Sequence, residues 1–103
     1  MAFAGLWEVW RPPGAPDAEL VRTCTIITTA ANSLLAPIHH RMPVVLAASD
    51  WSTWLDRSNQ EVDAIVDLLV PAPASDFVVY PISTRVNKAA NDDADLLDPV
   101  DVP

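Results

Sequence analysis

The sequence has 103 residues and a mass of 11.2 kDa, a length that accommodates one domain and argues against two. Half of the residues are hydrophobic, which is enough for a packed core and excludes disorder over the whole chain. Six basic residues against fourteen acidic ones give a formal net charge of −8, the wrong sign for a protein held on nucleic acid by phosphate neutralisation alone.

The first two predicted elements are strands. Ala2 to Trp10 combines aromatic and aliphatic side chains around Gly5, where we expect a close backbone contact. Three prolines and a glycine make residues 11–17 a loop, and the second strand spans Val21 to Thr29, a run dense in threonine and isoleucine. Cys24, the single cysteine, lies in that apolar run, which favours a buried thiol in a reducing compartment.

A short helix is predicted next, from Ala30 to Ala36, ended by the proline that follows it. The segment Ile38 to Pro43 then forms a turn that leads into a third strand at Val44 to Leu46. Two histidines and an arginine lie in this turn, so titratable groups are concentrated at the entrance of that strand.

Two further helices follow in the prediction. The helical spacing of Trp51 and Trp54 indicates a short amphipathic helix that buries both indoles. Ser58 and Glu61 form a capping-box pattern, which predicts a second helix from Asn59 to Leu69.

The last predicted strand runs from Asp76 to Ile82, and a polar segment leads from it to Asn91. Strands and helices alternate without a βαβ rhythm, so the predicted fold class is α+β, with a mainly antiparallel sheet and two to three short helices. Five aspartates and two prolines follow Asn91. We therefore expect one folded domain over residues 1–91 and an acidic, disordered tail over residues 92–103.

His39 and His40 are the only histidines, and imidazole is suited to proton transfer near neutral pH. Adjacent residues of an extended segment face opposite sides, so we predict no shared metal site and no cofactor. A structural or merely exposed histidine is the more common outcome for such residues. Arg41 beside them offers a planar fork to a phosphate or a carboxylate, or else forms a surface salt bridge.

The four tryptophans suggest base stacking as one interpretation. For Trp51 and Trp54 the helical spacing favours a place in the core instead. Trp7 and Trp10 are three residues apart on a strand and so face opposite sides, which indicates one core and one interfacial residue. Asn87 lies in a polar loop, where asparagine either hydrogen-bonds a ligand or forms a turn.

Several segments, in order and spacing that cover nearly the whole chain, carry a family resemblance: Phe3 to Glu8, Cys24 to Asn32, Ile38 to Leu46, Trp54 with Leu55, and Tyr80 to Asn87. The most specific element is His-x-Arg-Met-Pro behind an isoleucine, which starts here at His39. Together these segments resemble the C-terminal half of the SRAP family, the SOS response-associated peptidase-like or abasic-site processing proteins.

The resemblance implies a protein of the DNA damage (SOS) response that binds single-stranded DNA and forms a covalent crosslink with abasic sites. It implies that His39 is the active-site histidine, which assists ring opening and proton transfer. It also implies that Arg41 contacts the DNA backbone and that Asn87 is a polar contact near the site. His40 departs from the family pattern and is assigned no role.

Two family hallmarks have no counterpart in this sequence. The family's nucleophile is a cysteine directly after the initiator methionine, where Ala2 stands here, and the amine of Cys24 is tied up in a peptide bond. The family's Trp-[Phe/Tyr]-Glu-Trp segment with its catalytic carboxylate is also missing, and Glu8 lies in the setting of a later family strand. We therefore expect a C-terminal half, either a fragment or a truncated gene product, that does not crosslink DNA by itself. A peptidase activity would need an N-terminal nucleophile or a self-cleaved propeptide.

Three further expectations concern surroundings and partners. No targeting segment and no membrane-spanning run is recognised, so we expect a soluble, cytoplasmic protein. A sheet with an exposed edge favours association into a homo-oligomer. The alternative function is a stand-alone, non-enzymatic binding module whose acidic tail contacts a basic protein partner.

Overall fold

Residues 1–102, which a computed structural model describes, contain six short strands. They are β1 (Ala2–Phe3), β2 (Gly5–Trp10), β3 (Val21–Ile26), β4 (Thr28–Ala30), β5 (Arg41–Pro43) and β6 (Val45–Leu46). The same part of the chain has helices α1 (Trp51–Leu55) and α2 (Val62–Val66), with 3-10 turns at Ala48–Asp50, Ala74–Asp76, Thr84–Asn87 and Ala94–Leu97. Short antiparallel sheets with a few short helices confirm the predicted α+β fold class.

The six strands belong to three extended segments, and each segment pairs with both of the others. Strand β1 pairs with β6, β2 with β3, and β4 with β5, all antiparallel. The segment 2–10 therefore pairs with residues 45–46 at its start and with residues 21–26 over the rest of its length. Residues 28–30 then pair with residues 41–43. The result is three two-stranded arms that meet at one point.

The meeting point is a ring of three backbone hydrogen bonds, which we call the three-way junction. Ala4 N–H donates to the carbonyl of Val44, Val44 N–H to that of Ile27, and Ile27 N–H to that of Ala4, each at 2.9 Å. Ala4 and Val44 are completely buried. A small side chain at position 4 suits a place where three backbones converge.

The hydrophobic core is built around this junction. Leu46 joins Ala4 and Val44 in the buried cluster, against which Ile27, Trp54, Leu68 and Leu69 pack. The indole Nε1–H of Trp54 donates to the carbonyl of Gly5 at 3.3 Å, which ties α1 to the start of β2. The core therefore joins residues that lie far apart in the sequence.

Strands β2 and β3 form the longest arm, in register from Gly5 opposite Ile26 to Trp10 opposite Val21. The predicted close contact at Gly5 is present, because a Cβ there would lie 3.2 Å from the carbonyl oxygen of Thr25. Cys24 is exposed, so the prediction of a buried thiol is wrong. The reason is that, among the described residues, no third strand joins this two-stranded sheet.

The predicted helix from Ala30 to Ala36 is absent, and residues 33–38 form a turn instead. The side-chain oxygen of Asn32 accepts hydrogen bonds from the N–H groups of Leu34 and Leu35, at 3.2 and 3.0 Å. Asparagine competes in this way with the helical pattern of backbone bonds.

The two other helices form, but with differences from the prediction. Helix α2 begins at Val62 rather than Asn59, because the Ser58 hydroxyl and N–H both donate to the Asp56 carboxylate and do not cap the helix. In α1 only Trp54 packs on the core; Trp51 is exposed, so the prediction that both indoles are buried is wrong. The Trp51 indole N–H donates instead to the Leu46 carbonyl at 3.1 Å.

The strand predicted from Asp76 to Ile82 is wrong. Asp76 ends a 3-10 turn, residues 77–81 are irregular, and Ile82 forms an isolated antiparallel bridge with Pro99. Apolar residues alone do not make a strand where no partner strand pairs with them along their length.

The acidic segment contacts the polar segment that precedes it. The carboxylate of Asp93 accepts from Arg85 at 2.9 Å, Val100 N–H donates to the Pro81 carbonyl at 3.0 Å, and Leu96 is buried. The division between a domain at 1–91 and a disordered tail stays a prediction. In the described residues no helix is both long and apolar enough to cross a bilayer.

Candidate functional site

His39 lies just before β5, and its ring is held by the backbone of Arg41. Its Nδ1 atom is 3.0 Å from both the N–H nitrogen and the carbonyl oxygen of Arg41. A neutral ring accepts from the N–H at Nδ1 and carries its proton on Nε2, whereas an imidazolium donates from Nδ1 to the carbonyl. Both protonation states thus keep the ring in place and leave Nε2 for another molecule.

The Arg41 side chain is fixed by Thr28 of the neighbouring strand β4. Its Nη2 donates to the carbonyl and the hydroxyl of Thr28 at 2.8 and 2.7 Å, and its Nε lies 3.3 Å from the same hydroxyl. The register pairs Arg41 with Ala30, which places Thr28 two residues away on the same face.

The charge of Arg41 is available to a ligand. Within residues 1–102 the ion pair that forms is Arg85 with Asp93, so Arg41 has no carboxylate partner there. None of the hydrogen bonds found among these residues uses Nη1 of Arg41. A guanidinium that is already immobilised loses little rotamer entropy when it binds a phosphate or carboxylate.

His40 stacks on His39, with ring centroids 4.6 Å apart and planes inclined by 18°. The expectation that the two rings point to opposite sides is therefore wrong, because His40 lies in a bend rather than in a strand. In the described part of the chain, no group of three or more metal-ligating side chains comes together. His39, His40 and Arg41 are all exposed, so the site is open surface.

Asn32 positions the loop that carries the histidines. Its side-chain N–H donates to the buried Ala72 carbonyl at 2.9 Å, forty residues further along the chain. The His40 carbonyl accepts from Ala31 N–H at 3.1 Å, so the two ends of this loop are tied to each other. Sequence reasoning missed Asn32 and Thr28. An asparagine before an apolar run was a signal for the first, whereas Thr28 required knowledge of the strand register.

Asn87, the third candidate residue, lies in the 3-10 turn Thr84–Asn87. Ser83 caps this turn, because its hydroxyl accepts from Arg85 N–H at 3.3 Å. No hydrogen bond found in residues 1–102 links Asn87 to His39 or Arg41. The structure thus brings His39 and Arg41 together, and the role of Asn87 stays a prediction.

Comparison with known sequences gives a family and several relatives. The family model of SOS response associated peptidase (SRAP) matches residues 1–89. The abasic site processing protein YoqW of Bacillus subtilis is 40% identical over 97 residues, which are 94% of this chain and 42% of that protein. YoaM of the same organism is 44% identical over 98 residues, 94% of this chain and 41% of that protein. The abasic site processing protein HMCES of Gallus gallus is 33% identical over 103 residues, 99% of this chain and 30% of that protein.

A solved structure shows the same fold. A Bacteroides thetaiotaomicron protein determined by X-ray crystallography superposes with a TM-score of 0.78 at 28% sequence identity. The superposition covers 95% of this chain and 42% of the other. The chain therefore spans less than half the length of the relatives and of the solved structure that it resembles.

Proposed function

This chain belongs to the SRAP family, which confirms the family resemblance, and from that premise we propose that it supplies the histidine and a phosphate contact of a site for abasic single-stranded DNA. Relatives that are 33–44% identical to it are named abasic site processing proteins, which supports this substrate class. They are more than twice as long as the matched segment. We therefore propose for this chain only a part of the activity of those whole proteins.

The observation that carries the proposal is the pairing of a fixed, uncompensated guanidinium with a fixed imidazole. Arg41 is held by Thr28 and His39 by the Arg41 backbone, so both groups are fixed and lie two positions apart in one short segment. We propose that Arg41 holds a phosphate and that the adjacent sugar meets Nε2 of His39. With its proton on Nε2 the ring can donate that proton, whereas the neutral tautomer that donates from Nδ1 to the Arg41 carbonyl can accept one at Nε2.

The local charge agrees with this role although the net charge is −8. Residues 20–49 contain two arginines and two histidines but no aspartate or glutamate. Five of the fourteen acids lie in residues 92–101 instead. Electrostatic attraction of DNA depends on the potential at the site, which screening limits to about 8–10 Å at ordinary salt.

We propose that the chemistry of His39 is proton transfer during opening of the abasic sugar. We propose that residues 1–103 alone form no covalent adduct, because the amine of Cys24, their one cysteine, is part of a peptide bond.

Fluorescence anisotropy with a labelled single-stranded oligonucleotide that contains one abasic site tests the DNA contact. We expect Arg41→Gln to weaken binding several-fold and to reduce the salt dependence by about one phosphate contact. Arg57→Gln removes the same charge outside the site and should leave affinity within about twofold. Equal losses in the two variants, or no binding by the parent chain at low salt, would contradict the proposal. A denaturing gel of the same mixture should show no adduct.

A second candidate function is a binding module for a basic protein, and the packing of the acidic segment favours it. Leu96 is buried while the aspartates around it are exposed, so an apolar anchor presents carboxylates to solvent. This segment also lies beyond residues 1–89, which the family model matches.

Replacing Asp92, Asp95 and Asp98 with asparagine separates the two candidates without removing the Leu96 anchor. Stronger binding of the abasic oligonucleotide would favour a DNA surface that the aspartates repel. Loss of binding to a lysine-rich peptide, with DNA affinity unchanged, would favour the module.

A further inference from the structure

His40 lies between the two residues to which a role in DNA binding is assigned, and it has no such role itself. Its ring lies against the His39 ring, with centroids 4.6 Å apart and planes inclined by 18°. None of the hydrogen bonds found within residues 1–102 uses a nitrogen of the His40 ring. The stack on His39 is therefore the contact that orients this ring.

The backbone is fixed on both sides of His40. On one side, the N–H of His39 donates to the Leu35 carbonyl at 3.0 Å. On the other side, Arg41 begins strand β5 and pairs with Ala30 of β4. The His40 ring is thus held in one place before a ligand arrives, which lowers the entropy cost of binding to it.

One face of the His40 ring is free to bind a ligand. His39 covers the other face, His40 is exposed, and in the described chain no further aromatic ring stacks on it. Proteins hold single-stranded nucleic acid with this combination of groups, since bases stack on exposed rings while nearby cations contact the phosphates. The cation here is Arg41, which has no carboxylate partner within residues 1–102.

We propose that the free face of His40 stacks the base of the nucleotide next to the abasic sugar. This inference rests on the proposed function, in which Arg41 holds a phosphate and His39 meets that sugar. An abasic nucleotide has no base to stack, so stacking energy has to come from a neighbouring nucleotide. The His40 ring suits that neighbour because it lies one stacking step away from the ring of His39.

A metal ion suits the two histidines less well than a base does. Imidazole ligands bind an ion through lone pairs that lie in the plane of each ring and converge on the ion. The rings of His39 and His40 are nearly parallel, so their lone pairs lie in separate planes. The described residues also bring no third metal-ligating side chain to this pair.

A thermodynamic cycle between the ring and the base tests the inference. Fluorescence anisotropy measures the affinity of the full 103-residue chain for two labelled single-stranded oligonucleotides. The first has one abasic site between two adenines, and in the second both flanking nucleotides are abasic as well. We expect the parent chain to prefer the first oligonucleotide by about fivefold or more, and His40→Ala to reduce that preference to less than about twofold.

Two further variants separate the ring of His40 from its nitrogens. His40→Phe keeps a flat ring and should retain the preference for flanking adenines. His40→Gln keeps a hydrogen-bonding group without a ring and should lose that preference. Trp7→Ala removes an exposed ring from the β2–β3 hairpin and is the control, which should bind both oligonucleotides as the parent chain does.

Three results would overturn the inference. One is a parent chain that binds both oligonucleotides equally well. Another is a preference that survives His40→Ala while both affinities fall together, which would make His40 a positioning residue for His39. The third is an equal loss in His40→Phe and His40→Gln, which would assign a phosphate contact to the His40 nitrogens. In all three cases weaker binding by Arg41→Gln would leave the proposed function standing, whereas a parent chain that binds neither oligonucleotide contradicts both.

Discussion

The long arm, the hairpin of strands β2 and β3, is made of two of the three extended segments that form the three-way junction, yet the junction is buried and the long arm is exposed. At the junction, Ala4 and Val44 lose all contact with water because a third backbone closes over them. In the long arm, two strands pair with each other along their whole length but have nothing over either face in the described chain. Strand pairing alone therefore does not bury side chains. Stability must come from the junction, to which His39 and Arg41 are tied.

The difference in burial between the junction and the long arm is tested most strongly by substituting one tryptophan in each. Trp54 packs on the junction core and bonds Gly5, so Trp54→Ala should lower the free energy of unfolding by about 2–3 kcal/mol. Trp7→Ala, on the exposed long arm, should change it by less than about 0.5 kcal/mol. Urea unfolding followed by far-ultraviolet circular dichroism measures both. A larger cost for Trp7 would mean that the arm is part of the core.

Two valines give a matched test with a smaller expected effect. Val44 is fully buried at the junction, and Val44→Ala should cost about 2 kcal/mol through lost burial and a residual cavity. Val78→Ala removes the same two carbons from an exposed residue and should cost nearly nothing. Equal urea midpoints for the two variants would refute the assignment of the junction as the core.

The loop that carries the histidines can be loosened through Asn32. Asn32→Ala removes its bonds to Leu34, Leu35 and Ala72, and should cost about 1–2 kcal/mol. It should also broaden or shift the backbone signals of His39 and His40 in nitrogen-15 spectra. Asn59→Ala, which removes an exposed bond to Glu61 N–H, is the control and should leave those signals in place. Unchanged histidine signals in Asn32→Ala would show that Asn32 does not position the site.

The smallest expected effect lies on the exposed loop between α1 and α2. Hydrogen bonds from the Ser58 hydroxyl and N–H hold the pKa of Asp56 below its usual value. A lowered pKa contributes stability above the unfolded-state pKa, and that stability is lost as the pH falls through the folded-state pKa. Ser58→Ala should therefore raise the Asp56 pKa toward its ordinary value, as measured by carbon-13 titration of the carboxyl. Ser49→Ala should leave that titration unchanged, and a Ser58→Ala chain with the parent pKa would refute the assignment.

Local patterns in the sequence predicted the long arm, the close contact at Gly5 and the helical character near Trp54. They failed where a side chain redirected the backbone, as Asn32 does in the turn at 33–38 and Asp56 does before α2. They also failed where pairing depends on distant residues: in the described chain no partner strand runs along residues 77–81, and none of the described residues covers Cys24. The motif at His39 and Arg41 was recognised from sequence, but its support by Thr28 depends on register between β4 and β5.

The most direct test of this account is a nitrogen-15 NMR titration of the chain with a single-stranded oligonucleotide that contains one abasic site. We predict that the largest shifts map to His39, His40, Arg41 and Thr28, with the tryptophans of the long arm unaffected. Shifts concentrated on Trp7 and Trp10 instead would contradict the account, because DNA would then bind by stacking on the long arm and not at His39 and Arg41.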